Sequence, residues 1–410
     1  MKSLTLKALL SQLSASYSSG RIMEQQLRVW LRYTVVLGFY VSPCKHQPIK
    51  HLVWAERPKV RFRYRLKIIY LYALLPWICV LYVNALIYRK FVAGVMLSWL
   101  LTMVFFSSQA FSNLLIAAEG IWRRQQHEEF LRRLQDIELS LKLRLKQDVN
   151  VGWLVRRVRC LLEYLLWLTF ICYCLFIYNF AYLQYVGYFW YSIWFAITMR
   201  LRLIQLVIYV RVLQHYMKCL CMKLQQVVAY RMAPNRQLMD INYEKLQSLE
   251  YLLAIKEIYA LLFKEFQLLN DFAGWSLFSI ILSYMLDYGC TLYWALLSWE
   301  GYQERRKYCI ACFWWFVPMT AIVWHLCLLC DNCMKLDRVI AELLSKIIIT
   351  RSSKSLHSYR LLVHQFSAQL QLQYIEVTGK SFFTLNLRLL MSIGIAISTY
   401  MVIVIQFLTI

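Results

Sequence analysis

The sequence predicts an all-α integral membrane protein with seven transmembrane helices, a cytosolic N-terminus, an extracellular C-terminus and long helices that extend into a cytosolic anchor bundle. Three observations predict it. Of the 410 residues 60% are apolar and the mean hydropathy is +0.47, against about 45–50% apolar residues in soluble domains. Seven apolar windows are close to the ~20 residues that cross a bilayer as a helix. Lysine and arginine fall almost wholly on one side of those windows.

The windows run roughly over 68–88, 91–118, 160–180, 186–210, 273–298, 308–330 and 385–408. The third and fourth are nearly fused, so two helices and a very short turn near Gly187 are expected there. A weaker run, "WLRYTVVLGFYV" (30–41), is too short to span. It reads as a short interfacial helix within a cytosolic N-terminal region, 1–67. The apolar stretch at the very start is interrupted by Lys7, Ser11 and Gln12 and reads as a retained tail rather than a signal peptide. The membrane domain is then 68–410.

Orientation follows from the loops. The N-terminal region has 13 Lys and Arg, and the loops 119–159, 211–271 and 331–384 have 10, 8 and 7, which places 38 on one side. The other side has 5: Arg89, Lys90, Arg305, Arg306 and Lys307. Basic loops stay cytosolic. The net charge of +24 is therefore a property of the inner face. A nucleic-acid partner is excluded, because these cations are spread over four segments with no reading motif. A G-protein-coupled receptor is opposed as well, since its seven helices run the other way up and no Asp-Arg-Tyr triplet follows the third window.

The three cytosolic loops are themselves helical. In 119–159, Phe130, Leu134, Ile137, Leu141 and Leu145 recur at helical spacing between charges. In 211–271, Ile255, Ile258, Leu262, Phe266 and Leu269 do the same. Breaks are expected at "MAPNRQ" (232–237) and "TRSSKS" (350–355).

Little in the chain points to catalysis. There is no P-loop, no zincin motif and no nucleophile elbow. No cofactor is implied, and the protein is read as no enzyme. Cysteines at 309, 312, 327, 330 and 333 imitate a zinc ribbon. The run between them is apolar and helical, which sets the two pairs roughly 25 Å apart, so no metal site is expected. Charges inside spans are functional candidates by default. Arg200 and Arg202 are expected to snorkel to the inner interface. Asp287, near mid-span, is expected to pair with Arg200, and a ligand contact is its other reading. The outer halves hold many aromatics, among them Tyr182, Trp190, Trp194, Tyr288, Trp294 and Trp314. An interfacial belt is their ordinary role. A cavity for a flat, apolar small molecule is the other reading, with Asp287 and these six as candidate ligand contacts.

On the last helix, at 100° per residue, Ser392, Thr399 and Gln406 stay within roughly 40° of one line. Arg388 falls on the same side. Gly394 and Ser398 mark a separate face suited to close packing. Serine and threonine often bond back to their own helix, but an amide facing lipid is expensive.

These residues carry a resemblance. "TYMVIVIQF" (399–407) resembles the Thr-Tyr, five apolar residues, Gln-Phe signature of the insect gustatory receptor family. "TGKSFFTLNLRLL" (378–390) resembles the family's lead-in, filled here by Gly379, Phe383, Leu385 and Asn386. The motif similarity covers about the last 32 residues (378–409), and the rest agrees in length and topology. The resemblance implies a ligand-gated, non-selective cation channel in the plasma membrane of chemosensory neurons. It implies a homo- or hetero-tetramer whose seventh helices line one pore. Gln406 and Phe407 would sit at the narrow outer section, with Thr399 and Tyr400 two turns inward and Ser392 below them. The partners implied are a small-molecule tastant, membrane lipid and related subunits. No sugar-receptor or carbon-dioxide-receptor signature aligns, so bitter or other non-sugar tastants are expected. The competing readings are a transporter with a midplane site, which usually shows repeats, and a metabotropic receptor.

Overall fold

The computed structural model describes residues 58–87, 96–147, 151–181, 186–232, 248–299, 305–349 and 357–408, together with Leu27, Leu31, Leu37 and Phe39. Nine α-helices organise the described residues: α1 (Pro58–Ile87), α2 (Met96–Trp122), α3 (Arg124–Arg144), α4 (Val151–Ala181), α5 (Val186–Met232), α6 (Leu249–Trp299), α7 (Arg305–Ile349), α8 (His357–Leu372) and α9 (Leu387–Leu408). Each of the seven predicted windows falls on one helix. The remaining two, α3 and α8, lie in loops expected to be cytosolic. Of the predicted short helix, Leu31, Leu37 and Phe39 are described, and Leu31 and Phe39 are buried. The break at 350–355 lies outside the described residues, as does that at 232–237 beyond Met232. Gly187 belongs to the first turn of α5, so the connection from α4 precedes it.

Helix lengths separate membrane from anchor. α5, α6 and α7 have 47, 51 and 45 residues, which is about 70 Å each at 1.5 Å per residue. A bilayer core is about 30 Å thick, so more than half of each helix extends beyond it. At the basic end these extensions pack with α3, α8 and the start of α9 around a continuous apolar core. The residues predicted from spacing, Phe130, Leu134, Ile137, Leu141 and Leu145 on one side and Ile255, Ile258, Leu262, Phe266 and Leu269 on the other, are all buried there.

α5 is the central post. Of its most apolar stretch 78% is buried, against 17% for α1 and 22% for α4. The latter two show lipid the exposed side chains Ile69, Tyr72, Trp77 and Val80, and Tyr164, Trp167, Phe170 and Ile171. Among the described residues, hydropathy alone marks four helices as spanning: α1, α4, α5 and α7. α2 and α6 carry buried polar side chains within their apolar stretches, Gln109, Ser112 and Asn113 on one, Ser276, Ser279, Ser283 and Asp287 on the other. Those polar faces turn toward each other. Ser112 Oγ donates to the Ser279 carbonyl at 3.0 Å, and the Ser108 and Ser283 hydroxyls meet at 3.2 Å. The pairing hides polarity from lipid, where an unpaired group costs several kcal/mol.

Candidate functional site

The segment before α9 explains the motif residues one by one. Thr378 and Thr384 form an antiparallel bridge. Phe382 N–H donates to Gly379 O at 3.0 Å, and Leu385 N–H to Val377 O at 2.8 Å. The two residues at the turn, Lys380 and Ser381, have φ of 49° and 64°, the pattern of a type I′ hairpin turn. A Cβ at Gly379 would lie 2.7 Å from the Phe383 ring, so glycine is required by close approach. Phe382 and Phe383 stack on Phe278 of α6, with centroids 4.7 and 6.1 Å away. Leu385 is fully buried. Asn386 Oδ1 accepts the Leu389 N–H at 2.8 Å, which makes it the N-cap of α9. The hairpin is pinned to α6 by Asn270, which donates to Glu376 O at 2.9 Å and accepts from Thr378 N–H at 3.0 Å. Lys380 adds a 3.4 Å ion pair with Asp271 and lies against Gly274, where a Cβ would sit 3.1 Å from its Cγ.

α9 then docks by one face. Ile393 and Ile397 are buried, and Tyr400 packs on Gly289 of α6, whose Cβ would lie 3.6 Å from its ring. Ser392, Thr399 and Gln406 are exposed on the side turned away from Ile393 and Ile397. Within the subunit Ser392 and Thr399 each bond back to the carbonyl four residues earlier, both at 3.0 Å. Phe407 lies in the last turn of α9, and its side chain is outside the described atoms. The close-packing face expected at Gly394 and Ser398 is not used within the subunit. Nothing lies within 4 Å of a Cβ at Gly394, and Ser398 bonds back to its carbonyl at 2.9 Å. Arg388 is exposed.

Beneath the hairpin lies a buried ion pair that sequence reasoning missed. Glu119 of α2 meets Arg202 of α5 at 3.2 Å, both almost fully buried. This corrects the expectation that Arg202 snorkels. Its Nη1 donates to Gln205 at 2.8 Å and its Nε to Ser276 at 3.3 Å. Glu119 Oε1 accepts the backbone N–H groups of Trp275 and Ser276, at 2.9 and 3.1 Å. Those N–H groups belong to the interior of α6, so the Glu119 carboxylate is held directly against the backbone of a neighbouring helix. The network continues: Gln205 donates to Tyr209 at 3.0 Å, and Tyr209 meets His127 at 2.6 Å. His127 stacks on Phe272, with centroids 4.6 Å apart. None of these five residues leaves a buried side-chain polar atom unbonded. The knot therefore fixes α2, α3, α5 and α6 where the hairpin leading to α9 is attached.

The outer polar cluster is built differently. Asp287 Oδ2 accepts from Gln109 Nε2 at 2.9 Å, and Gln109 Oε1 accepts from Ser192 at 2.9 Å. The predicted Asp287–Arg200 ion pair does not form. Arg200 is buried, not snorkelling; it donates to Trp315 O at 2.6 Å and lies over the Tyr173 and Trp315 rings at 4.6 and 5.1 Å. A guanidinium stacked between aromatics gains a cation–π attraction. Asp287 Oδ1 and Asn113 Oδ1 have no hydrogen-bond partner. Of the aromatic candidates, Tyr288 stacks on Phe316 of α7 at 4.4 Å, and Trp314 sits edge-on to Phe313 at 5.4 Å. Trp194 packs beside Ile78 and Phe195. Asp287 faces α2 and Tyr288 faces α7, so these candidates are not brought to one point. Tyr182 is outside the described residues, and Trp190 and Trp294 lie on α5 and α6 with side chains not described. α7 runs unbroken through both cysteine pairs, which keeps them apart. Among the described residues no group of three His, Cys, Asp or Glu could hold a metal ion.

Two carboxyls in the anchor bundle titrate abnormally. Burial pushes Glu265 up to about 9, with Arg133 opposing, and both its oxygens lack a hydrogen bond. Burial also pushes Glu138 up to about 7, against the Tyr216 hydroxyl, which donates to it at 3.4 Å. Desolvation disfavours the charged form in both.

Comparison with known proteins agrees with this architecture. Residues 27–408 match the family model described as 7tm Chemosensory receptor. Gustatory receptor 39b of Drosophila melanogaster is 28% identical over 220 residues, 54% of this chain and 59% of that protein. Gustatory receptor 23a of the same fly is 35% identical over 145 residues, 34% of this chain and 37% of that protein. The chain thus spans less than two thirds of either relative. The structure of the insect olfactory receptor OR5 from Machilis hrabei in complex with eugenol superposes with a TM-score of 0.63 at 12% identity, covering 94% of this chain and 99% of that one. A second structure of the insect olfactory receptor OR5 from Machilis hrabei gives 0.61 at 13% identity, with the same coverage. The fold is shared, and with it seven membrane helices. On the match across 27–408, this multi-pass chain belongs to the 7tm chemosensory receptor family, a family of receptors rather than enzymes.

Proposed function

We propose that this chain is a gustatory receptor that acts as a ligand-gated, non-selective cation channel. Four subunits, identical or related, assemble in the plasma membrane of chemosensory neurons, and α9 of each lines the pore. One observation carries the reading: α9 docks on its own subunit by Ile393 and Ile397 and leaves Ser392, Thr399 and Gln406 exposed on another side. A helix that met only lipid there would carry no such stripe. Gln406 then hydrates a passing cation, and Phe407 closes the pore by dewetting. The open face at Gly394 is where a neighbouring subunit's helix approaches.

The ligand is a non-sugar tastant, bitter or otherwise aversive, held in the outer half of each subunit. Its candidate contacts are Asp287, Tyr182, Trp190, Trp194, Tyr288, Trp294 and Trp314, and since Asp287 faces α2 and Tyr288 faces α7 no single ligand is expected to touch them all. The under-bonded Asp287 and Asn113 would accept hydrogen bonds from it. The test is whole-cell current in heterologous cells challenged with a tastant panel. Gln406→Ala is expected to change conductance or cation selectivity with little change in half-maximal tastant concentration. Current that keeps its conductance and selectivity across several Gln406 and Phe407 substitutions would overturn the pore assignment.

A further inference from the structure

Most ion pairs at the basic end are at least partly exposed and ordinary: Arg133 with Glu129 and Lys335 with Asp331 at 2.8 Å within single helices, and Arg144 of α3 with Glu257 of α6. One group of cations differs. Arg157 on α4 and Arg211, His215 and Lys218 on α5 are electrostatic neighbours, and among the described residues none of them forms an ion pair. The electrostatic neighbours of His215 are Arg211 and Lys218, and those of Arg211 are Arg157 and the buried Cys333 thiol. No carboxylate stands among them. Arg211 spends one donor on Gln214 Oε1, at 2.8 Å, and is half-buried.

Position and aromatic content narrow what could neutralise this group. The apolar window of α4 begins at Cys160 and that of α5 ends at Val210. Arg157 and Arg211 therefore stand within one turn of the hydrocarbon edge, at headgroup level on the basic side. Trp153, exposed, carries Arg157 over its ring at 5.0 Å and lies 5.6 Å from the His215 ring. An amphipathic indole beside guanidinium groups is the composition of an interfacial anchor. Only 22% of the apolar stretch of α4 is buried, and Trp153, Arg157 and Lys218 are exposed, so the group is open on the side that would meet lipid. Packing like charges together without a counter-ion is unfavourable. One polyanionic headgroup resolves that repulsion better than several monoanionic ones, because its charges arrive already joined.

We propose that Trp153, Arg157, Arg211, His215 and Lys218 form a binding site for the phosphorylated headgroup of an inner-leaflet phosphoinositide. The arginines take phosphate oxygens in a bidentate manner, Lys218 adds a point charge, and Trp153 sits among the glycerol and upper acyl atoms. The site rests on the fold and its orientation, and it is independent of whether α9 conducts ions.

The test uses the purified full chain in detergent, with bound lipid read by native mass spectrometry and by thermal shift. The probes are dioctanoyl phosphatidylinositol 4,5-bisphosphate, dioctanoyl phosphatidylserine and free inositol trisphosphate. Expected is saturable binding of the phosphoinositide, at least tenfold tighter than of the serine lipid or the free headgroup. The double variant Arg157→Gln/Lys218→Gln, at two exposed positions, is expected to lose tenfold or more. Arg144→Gln, a cation paired elsewhere, is expected to bind as the unmodified chain does. Equal binding of the two lipids would overturn the proposal. So would an unchanged double variant that elutes as folded, or free inositol trisphosphate bound as tightly as the lipid, which would make this a soluble-phosphate site.

Discussion

The inner knot around Glu119 and Arg202 and the outer cluster around Gln109 and Asp287 lie along the same α2–α5–α6 seam, yet they are bonded in opposite ways. The inner knot satisfies all its buried polar side-chain atoms, and Glu119 even takes two backbone N–H groups from α6. The outer cluster leaves a carboxylate oxygen and an amide oxygen without partners. A fully satisfied buried network is rigid and specifies one arrangement. An under-bonded one has spare capacity that a ligand or water can fill. If the proposed function holds, the contrast puts holding at the inner end, where the hairpin to α9 is clamped, and responding at the outer end.

Substitutions sharpen that contrast in order of size. Glu119→Ala leaves Arg202 buried without its counter-ion and removes the acceptor held against two α6 N–H groups, so it is expected to cost about 3–5 kcal/mol. The check is thermal unfolding by fluorescence-detected size exclusion together with surface expression. Wild-type stability here would break the comparison. At the outer end, Asp287→Leu strands the Gln109 amide and is expected to cost about 1–3 kcal/mol. Asp287→Asn keeps an acceptor for Gln109, so its stability should stay within about 1 kcal/mol of the parent while its tastant dose–response shifts. A large loss of stability in Asp287→Asn with an unshifted response would show that the outer cluster is a second structural lock.

Two smaller effects probe the anchor. Asn386→Ala removes the cap of α9 and is expected to cost about 1 kcal/mol, with Asn386→Ser recovering most of it. The second is a pH dependence. Glu265 and Glu138 are raised in the folded state to about 9 and about 7, from an ordinary 4.5. For raised groups the stability contribution is complete below the ordinary value and is lost as pH rises through the folded value. Unfolding temperature should therefore fall between about pH 5 and 9. Glu265→Gln should flatten the upper part of that fall, leaving the part below about pH 7 that belongs to Glu138. An unfolding temperature that rises across this range would contradict the burial of both carboxyls.

Much of the fold was legible because it rests on periodicity and charge count. The spacing of Phe130 through Leu145 and of Ile255 through Leu269 placed two anchor seams that the structure buries. The pattern around Gly379, Phe383, Leu385 and Asn386 was legible as a motif but not as a mechanism. Only the hairpin shows that the glycine clears a ring, the phenylalanine docks on α6 and the asparagine caps a helix. The polar partners were not legible. Asp287 stood out as a charge in a span, yet its partner Gln109 is neutral and 178 residues away in sequence. Glu119 lies just past the end of an apolar window, where nothing in the sequence distinguishes it from a loop acid. The Arg200 and Arg202 expectations failed because snorkelling presumes a lipid-facing position, whereas these two residues lie on a stretch of α5 that its neighbours bury. Gln109 could have been found by treating amides inside spans like charges.

The central claim is that the exposed stripe of α9 faces an aqueous pore. Single-cysteine variants at Ser392, Thr399, Ile393 and Ile397, in a background whose other exposed cysteines are removed, test it most directly. A cationic methanethiosulfonate reagent is applied during tastant-evoked current. The account predicts block at 392 and 399 and none at 393 and 397. Block at Ile393 and Ile397 with none at Ser392 and Thr399 would contradict it.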